Sequence, residues 1–280
     1  MERLKRPETL VLVVGYIALI AANALGELFK FGGVTSAEVS NEVFAWFAPS
    51  GYVFTIWSVI YVGLVVWIVR LVGDGSRRIG FLGLPIGLDT ALFVASCALN
   101  VVWLAFWHLR VFPATIIVIV ALFVVVGTLY IMTWQRSKSW LDRAPVALYA
   151  SWLAVAVVAN VAHVVARSAP GGGVFAAAST IVLLVLLAGT TYVVRRIFDD
   201  YIFGIVVLWA GIGIGMRLVA VSPVTGVLAI VVSTLGVAAA LLPWNSMLRA
   251  PQGHSGALTL AASRPVQVAF GLATLYLDGF

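Results

Sequence analysis

Phe54, Trp57 and Tyr61 recur three and four residues apart in the stretch FAPSGYVFTIWSVIY, residues 47–61. That interval places them on one stripe of a helix. Two later stretches do the same with polar members included: Ser96, Asn100, Trp103 and Trp107, then Tyr149, Trp152, Asn160 and His163. At about 100° per residue, each stripe occupies an arc of about 60–80°. These side chains offer flat π faces, indole and amide N–H donors, and an imidazole. Such a set suits stacking on a flat, largely apolar molecule that is oriented by a few hydrogen bonds. Each residue also has a plainer role. A lone membrane tryptophan usually packs or anchors at the interface, and a lone asparagine usually ties helices together. Three stripes acting together favour a pocket.

The elements that must carry these stripes are membrane helices. Of the 280 residues, 62% are hydrophobic and 10% charged, and the mean hydropathy is +1.10. A soluble domain of this length needs far more charge to cover its surface. The expected fold is an all-α polytopic bundle of eight spans, each needing about 20 apolar residues. They fall near residues 8–25, 51–72, 88–109, 112–134, 144–166, 173–194, 201–219 and 223–244. The basic N-terminus precedes a first span that reads as retained rather than cleaved. Cys97 is the single cysteine, which excludes an intrachain disulfide and CxxC motifs.

The net charge of +6 comes from basic residues in short loops, a topology signal rather than a nucleic-acid footprint. With the N-terminus inside, the inner segments hold thirteen basic residues: Arg3, Lys5, Arg6, Arg70, Arg77, Arg78, Arg136, Lys138, Arg143, Arg195, Arg196, Arg249 and Arg264. The outer segments hold four: Lys30, Arg110, Arg167 and Arg217. Both termini are therefore expected in the cytoplasm, and the expected location is the bacterial plasma membrane. The long first loop lies outside and carries Glu27, Glu38 and Glu42. At about 1.5 Å of rise per residue, Trp57, Trp103 and Asn160 all sit about 10 Å below that outer surface. Polar groups at that depth should face the bundle interior.

The motifs FAPSGYVFTIWSVIY, LNVVW (residues 99–103) and WLAVAVVAN (residues 152–160) resemble the second, third and fifth helices of the TspO/MBR family, the tryptophan-rich sensory and translocator proteins. The matching positions are Pro49, Val53, Phe54, Trp57 and Tyr61, then Leu99, Asn100 and Trp103, then Trp152, Ala156 and Asn160. The resemblance covers residues 8–167. It implies a five-helix core binding porphyrins or sterols under the first loop, with Trp57 and Trp152 facing the ligand. Residues 168–246 would add three spans, and 247–280 would form a cytoplasmic tail. No resident cofactor is implied; porphyrin or haem enters as a ligand. The sequence departs from the family where the usual Trp-x-Pro-Pro reads Phe47-Ala48-Pro49-Ser50, where Tyr52 replaces a common Trp, and where Arg167 replaces an Asn.

The expected ligand-binding set is Phe54, Trp57, Tyr61, Asn100, Trp103, Trp107, Tyr149, Trp152, Ala156, Asn160 and His163, with Phe47, Pro49 and Gly51 in a lid. His108 and His163 read as interfacial or hydrogen-bonded rather than metal-ligating. The leading function is non-enzymatic sensing or transport of a flat hydrophobic ligand. The alternatives are a structural or regulatory subunit of a membrane complex, and tryptophan-assisted porphyrin breakdown. Ordinary hydrolytic chemistry lacks a base, nucleophile or metal cluster. Asp89 is the one acid read inside a span, near its inner edge. In the three added spans, Gly211, Gly213 and Gly215 suit close packing, with a homodimer or partner surface as the other reading. Trp209 and Trp244 lie outside the aromatic cluster, and RRIFDD (residues 195–200) reads as a solvated loop pairing Arg196 with Asp200.

Overall fold

The computed structural model describes residues 7–73, 80–81, 84–169 and 173–242. Among them are eight helical segments long and apolar enough to cross a membrane. They are carried by α1 (Pro7–Leu28), α3 (Ile56–Gly73), α4 (Leu88–His108), α5 (Phe112–Arg136), α6 (Trp140–Ser168), α7 (Gly173–Phe198), α8 (Ile202–Val219) and α9 (Pro223–Leu241). A short helix, α2 (Ser36–Ser40), lies in the first loop. A small antiparallel hairpin, β1 (Gly80–Phe81) with β2 (Leu84–Gly87), precedes α4. The tail from residue 243, with Trp244, lies outside the described residues.

Spans follow from the apolar runs, because a helix satisfies its own backbone where no water can. Their ends follow from local signals. Pro113 and Pro223 sit in the first turns of α5 and α9, where a missing N–H is harmless. Helix α1 runs on to Leu28, so Glu27 belongs to its last turn rather than to the loop. Helix α6 starts at Trp140, which brings Asp142 into its first turn. Asp89 is thus not the one acid within a helical span.

Helices α1, α3, α4, α5 and α6 pack around a core that includes Leu19, Ile60, Phe93, Leu122 and Leu153. Helices α7, α8 and α9 pack on one another, and α8 also lies against α6. The glycines offered as a partner surface are occupied within the chain. A Cβ on Gly211 would stand 2.0 Å from Ser233 Oγ, and one on Gly215 2.4 Å from Ile230 Cγ1. Small residues permit this approach, and dispersion then holds the helices together.

Ionic contacts also lie at the helix ends remote from the first loop. Arg70 pairs with Asp142, and Arg136 with the buried Asp89. The Arg143 guanidinium lies 3.9 Å over the Trp134 ring. In RRIFDD the pairing differs from expectation: Arg195 binds Asp199, and Asp200 is buried. Asp200 accepts from the Tyr130 hydroxyl at 2.8 Å and from the Ile202 N–H at 2.7 Å. Two residues fewer of helix at Phe198 turn Asp200 inward, where a continuous helix would have pointed it at Arg196.

Candidate functional site

The aromatic stripes converge on one cavity under the first loop, with a volume of about 490 Å³. That volume lies within the range of small-molecule pockets. Helix α3 and the turn before it contribute Pro49, Gly51, Phe54, Trp57 and Tyr61. Helix α4 brings Asn100, Trp103 and Trp107, and α6 brings Trp152, Ala156, Asn160 and His163. Twelve of the fourteen residues expected at the site therefore line one space. The other two do not. Phe47 is buried in the helix core, and Tyr149 is covered by Trp57, whose ring centroid lies 6.0 Å away.

Rings order the walls. Trp57 stacks on Tyr61 at 5.7 Å and 25°, one turn apart on α3. Trp152 meets Trp57 and Phe54 edge-on, both at 6.2 Å. Trp103 stacks on Trp107 at 5.5 Å, and His163 lies 4.8 Å from both Trp107 and Phe112. These offset and edge-to-face contacts fix the indoles while leaving ring faces and edges on the cavity.

Polar groups are few and deep. Asn23 donates to the Leu19 carbonyl at 2.9 Å and to Asn100 Oδ1 at 3.1 Å. Asn160 Oδ1 accepts from the Thr115 hydroxyl at 3.0 Å. Asn100 Nδ2, Trp103 Nε1, Trp152 Nε1, Asn160 Nδ2 and the two ring nitrogens of His163 are buried and have no partner. A buried donor is normally bonded, because leaving it unpaired forfeits its hydration for nothing. Residues lining one cavity thus carry several unpaired buried donors, and a rotation of these side chains would turn them toward an acceptor-bearing molecule inside it. His108 is hydrogen-bonded through Nδ1 to the Leu104 carbonyl at 2.9 Å, keeps Nε2 buried without a partner, and does not line the cavity.

Sequence reasoning missed two walls and a lid helix. Helix α1 adds Ile20, Asn23, Ala24 and Glu27, whose spacing is itself a helical stripe with two polar members. Helix α5 adds Ile119 and Leu122, which carry no signal beyond being apolar. Ser36, Ala37 and Ser40 of α2 form part of the roof.

The roof is tied down. Thr35 caps α2 by a capping box with Glu38, which also pairs with Lys30. These bonds, the Lys30 contact first, hold the Glu38 carboxyl below the usual glutamate range. Trp107 Nε1 donates to the Ser36 carbonyl at 3.1 Å. Glu42 accepts from Arg110 Nε at 2.8 Å and lies 3.5 Å from Arg167 Nη1, joining the loop to the ends of α4 and α6. Arg110 adopts φ +59° in the tight turn between α4 and α5. The Arg167 that departs from the family motif thus serves as a lid anchor.

The added spans also reach the site. Ser50 donates its backbone N–H and its hydroxyl to the Gly213 carbonyl, at 3.1 and 3.0 Å. Trp209 Nε1 donates to the Val53 carbonyl at 3.1 Å. Trp209 is therefore coupled to the pocket turn, against the expectation that it stands apart.

An all-helical membrane protein with an apolar cavity under an ion-paired roof is the class that this fold and site define. Residues 9–242 match the profile of a family described as TSPO-like protein, and the chain belongs to that family. The match runs through all eight spans, past residue 167 where the motif resemblance ended. No curated protein and no solved structure matches the chain.

Proposed function

We propose that this membrane protein binds a flat, largely apolar molecule bearing hydrogen-bond acceptors, a tetrapyrrole or a sterol-like lipid, for sensing or transport. The observation that carries this reading is the cavity of about 490 Å³ walled by Trp57, Trp103 and Trp152, whose lining residues carry buried N–H donors without partners. Stacking on Trp57, Trp103 and Trp152 would supply most of the affinity, and the donors would orient the ligand. The roof would close over it. The basic bias supports a roof on the outside and both termini in the cytoplasm, the arrangement expected in a bacterial plasma membrane. The first five spans form the ligand core in this reading, and α7–α9 are an addition to it.

The test is optical. The purified protein is scanned for co-purified pigment, then titrated with protoporphyrin IX and with cholesterol while tryptophan emission is followed. Saturable quenching at micromolar ligand supports the reading, provided Trp152→Phe reduces it and Trp140→Phe does not. Trp140 is exposed at the inner end and serves as the control. Quenching that never saturates, or that depends equally on Trp140, would defeat it.

A further inference from the structure

The turn at residues 49–55 supplies Pro49, Gly51, Phe54 and Thr55 to the cavity, yet its position is set from outside the five-helix core. Helix α8 holds it at two adjacent levels. The Gly213 carbonyl takes both donors of Ser50, using the second lone pair that a helical carbonyl keeps free. One turn earlier, Trp209 donates to the Val53 carbonyl, and its ring meets Tyr52 edge-on at 5.2 Å. Nothing larger than glycine fits at 213. A Cβ there would stand 2.1 Å from Val53 Cγ2, and Val53 is fully buried. The helix and the turn are thus matched to each other across about 160 residues of chain.

We propose that α8 is a positioning element for the cavity. By fixing residues 50–53 it sets where Pro49 and Phe54 stand relative to α6, and so controls access and affinity from the C-terminal helices. The word affinity rests on the proposed function; control of access does not. Linkage makes the coupling reciprocal, so a ligand that shifts the turn also changes how α8 packs. The C-terminal helices then have a means of registering occupancy.

The experiment uses the full chain, with two readouts. The first is the labelling rate of Ala156→Cys, a cavity-wall position, by a water-soluble maleimide in a Cys97→Ser background. The second is the protoporphyrin IX affinity without the reporter. Gly213→Ala is expected to speed labelling and weaken binding, each several-fold. Adding Val53→Ala should restore both, because it removes the methyl that the new Cβ strikes. Trp209→Phe, which keeps one aromatic ring and removes the N–H, should give a smaller change in the same direction. If Gly213→Ala does not fold, Trp209→Phe and Ser50→Ala decide the matter. Unchanged labelling and affinity in folded, monodisperse variants would overturn the proposal, as would a Gly213→Ala defect that Val53→Ala does not relieve. If the wild type binds no tetrapyrrole but labelling still responds, the ligand reading falls and the positioning role stands.

Discussion

Trp152→Phe separates a ligand contact from a packing contact by opposite signs in two assays. Trp152 is 2% exposed, its ring touches Phe54 and Trp57 edge-on, and its Nε1 has no partner. Phenylalanine keeps one ring and the apolar character while deleting the N–H. In the free protein this removes an unsatisfied buried donor, whose burden is about 1–3 kcal/mol. It also opens a small void, with a cost of similar size. The two nearly cancel, so the thermal midpoint in detergent should stay within a few degrees of wild type or rise. With ligand bound, the variant loses a hydrogen bond of about 1 kcal/mol and aromatic overlap of about 1 kcal/mol. Together that is about 2 kcal/mol, or a dissociation constant about 30-fold higher. Fluorescence titration reads the second effect and a melting curve the first. A midpoint lowered by many degrees with unchanged affinity would show that Trp152 is packing, and the reasoning would fail.

Glu42→Gln should loosen the roof, since one carboxylate serves both Arg110 and Arg167. Partly exposed pairs of this kind contribute about 1 kcal/mol or less, so stopped-flow release should quicken by a few-fold at most and the difference should shrink in high salt. The Glu38 carboxyl is held below its ordinary range by Lys30 and by the Thr35 N–H. Its folded pKa lies below the unfolded one, so its support of α2 is complete above the usual glutamate value and is lost as pH falls through the folded value. Limited proteolysis of residues 29–50 should accelerate over that acid window in wild type and show no such step in Glu38→Gln. Reporter fusions should place the C-terminus in the cytoplasm and residues 29–50 outside. A C-terminus found outside would contradict the thirteen-to-four basic bias.

The spans were legible because hydropathy reports directly on what lipid tolerates, and the helices begin and end within a few residues of the apolar runs. The stripes were legible because helical periodicity fixes a face. Periodicity does not say which neighbour covers that face. Tyr149 shares the stripe of Trp152 yet lies behind Trp57, and nothing in its spacing announces this. Asn23 already lay within the expected first span and could have been found by the same rule that found Asn100, whereas Glu27 required following α1 to Leu28. Ile119 and Leu122 could not, because an apolar wall residue looks like any lipid-facing one. The hold of Gly213 on Ser50 joins positions 163 residues apart. A lone glycine among several in α8 does not reveal which one meets a turn.

The most direct test of the ligand site is to fill it. Ala156 lies on the cavity wall between Trp152 and Asn160, one helical turn from each. Replacing it with tryptophan puts an indole into the space that the ligand would take. The wild type should show single-site, saturable quenching by protoporphyrin IX or cholesterol. Ala156→Trp should abolish it while the protein remains helical and monodisperse. Binding that survives the filled cavity undiminished would place the ligand elsewhere and contradict the account.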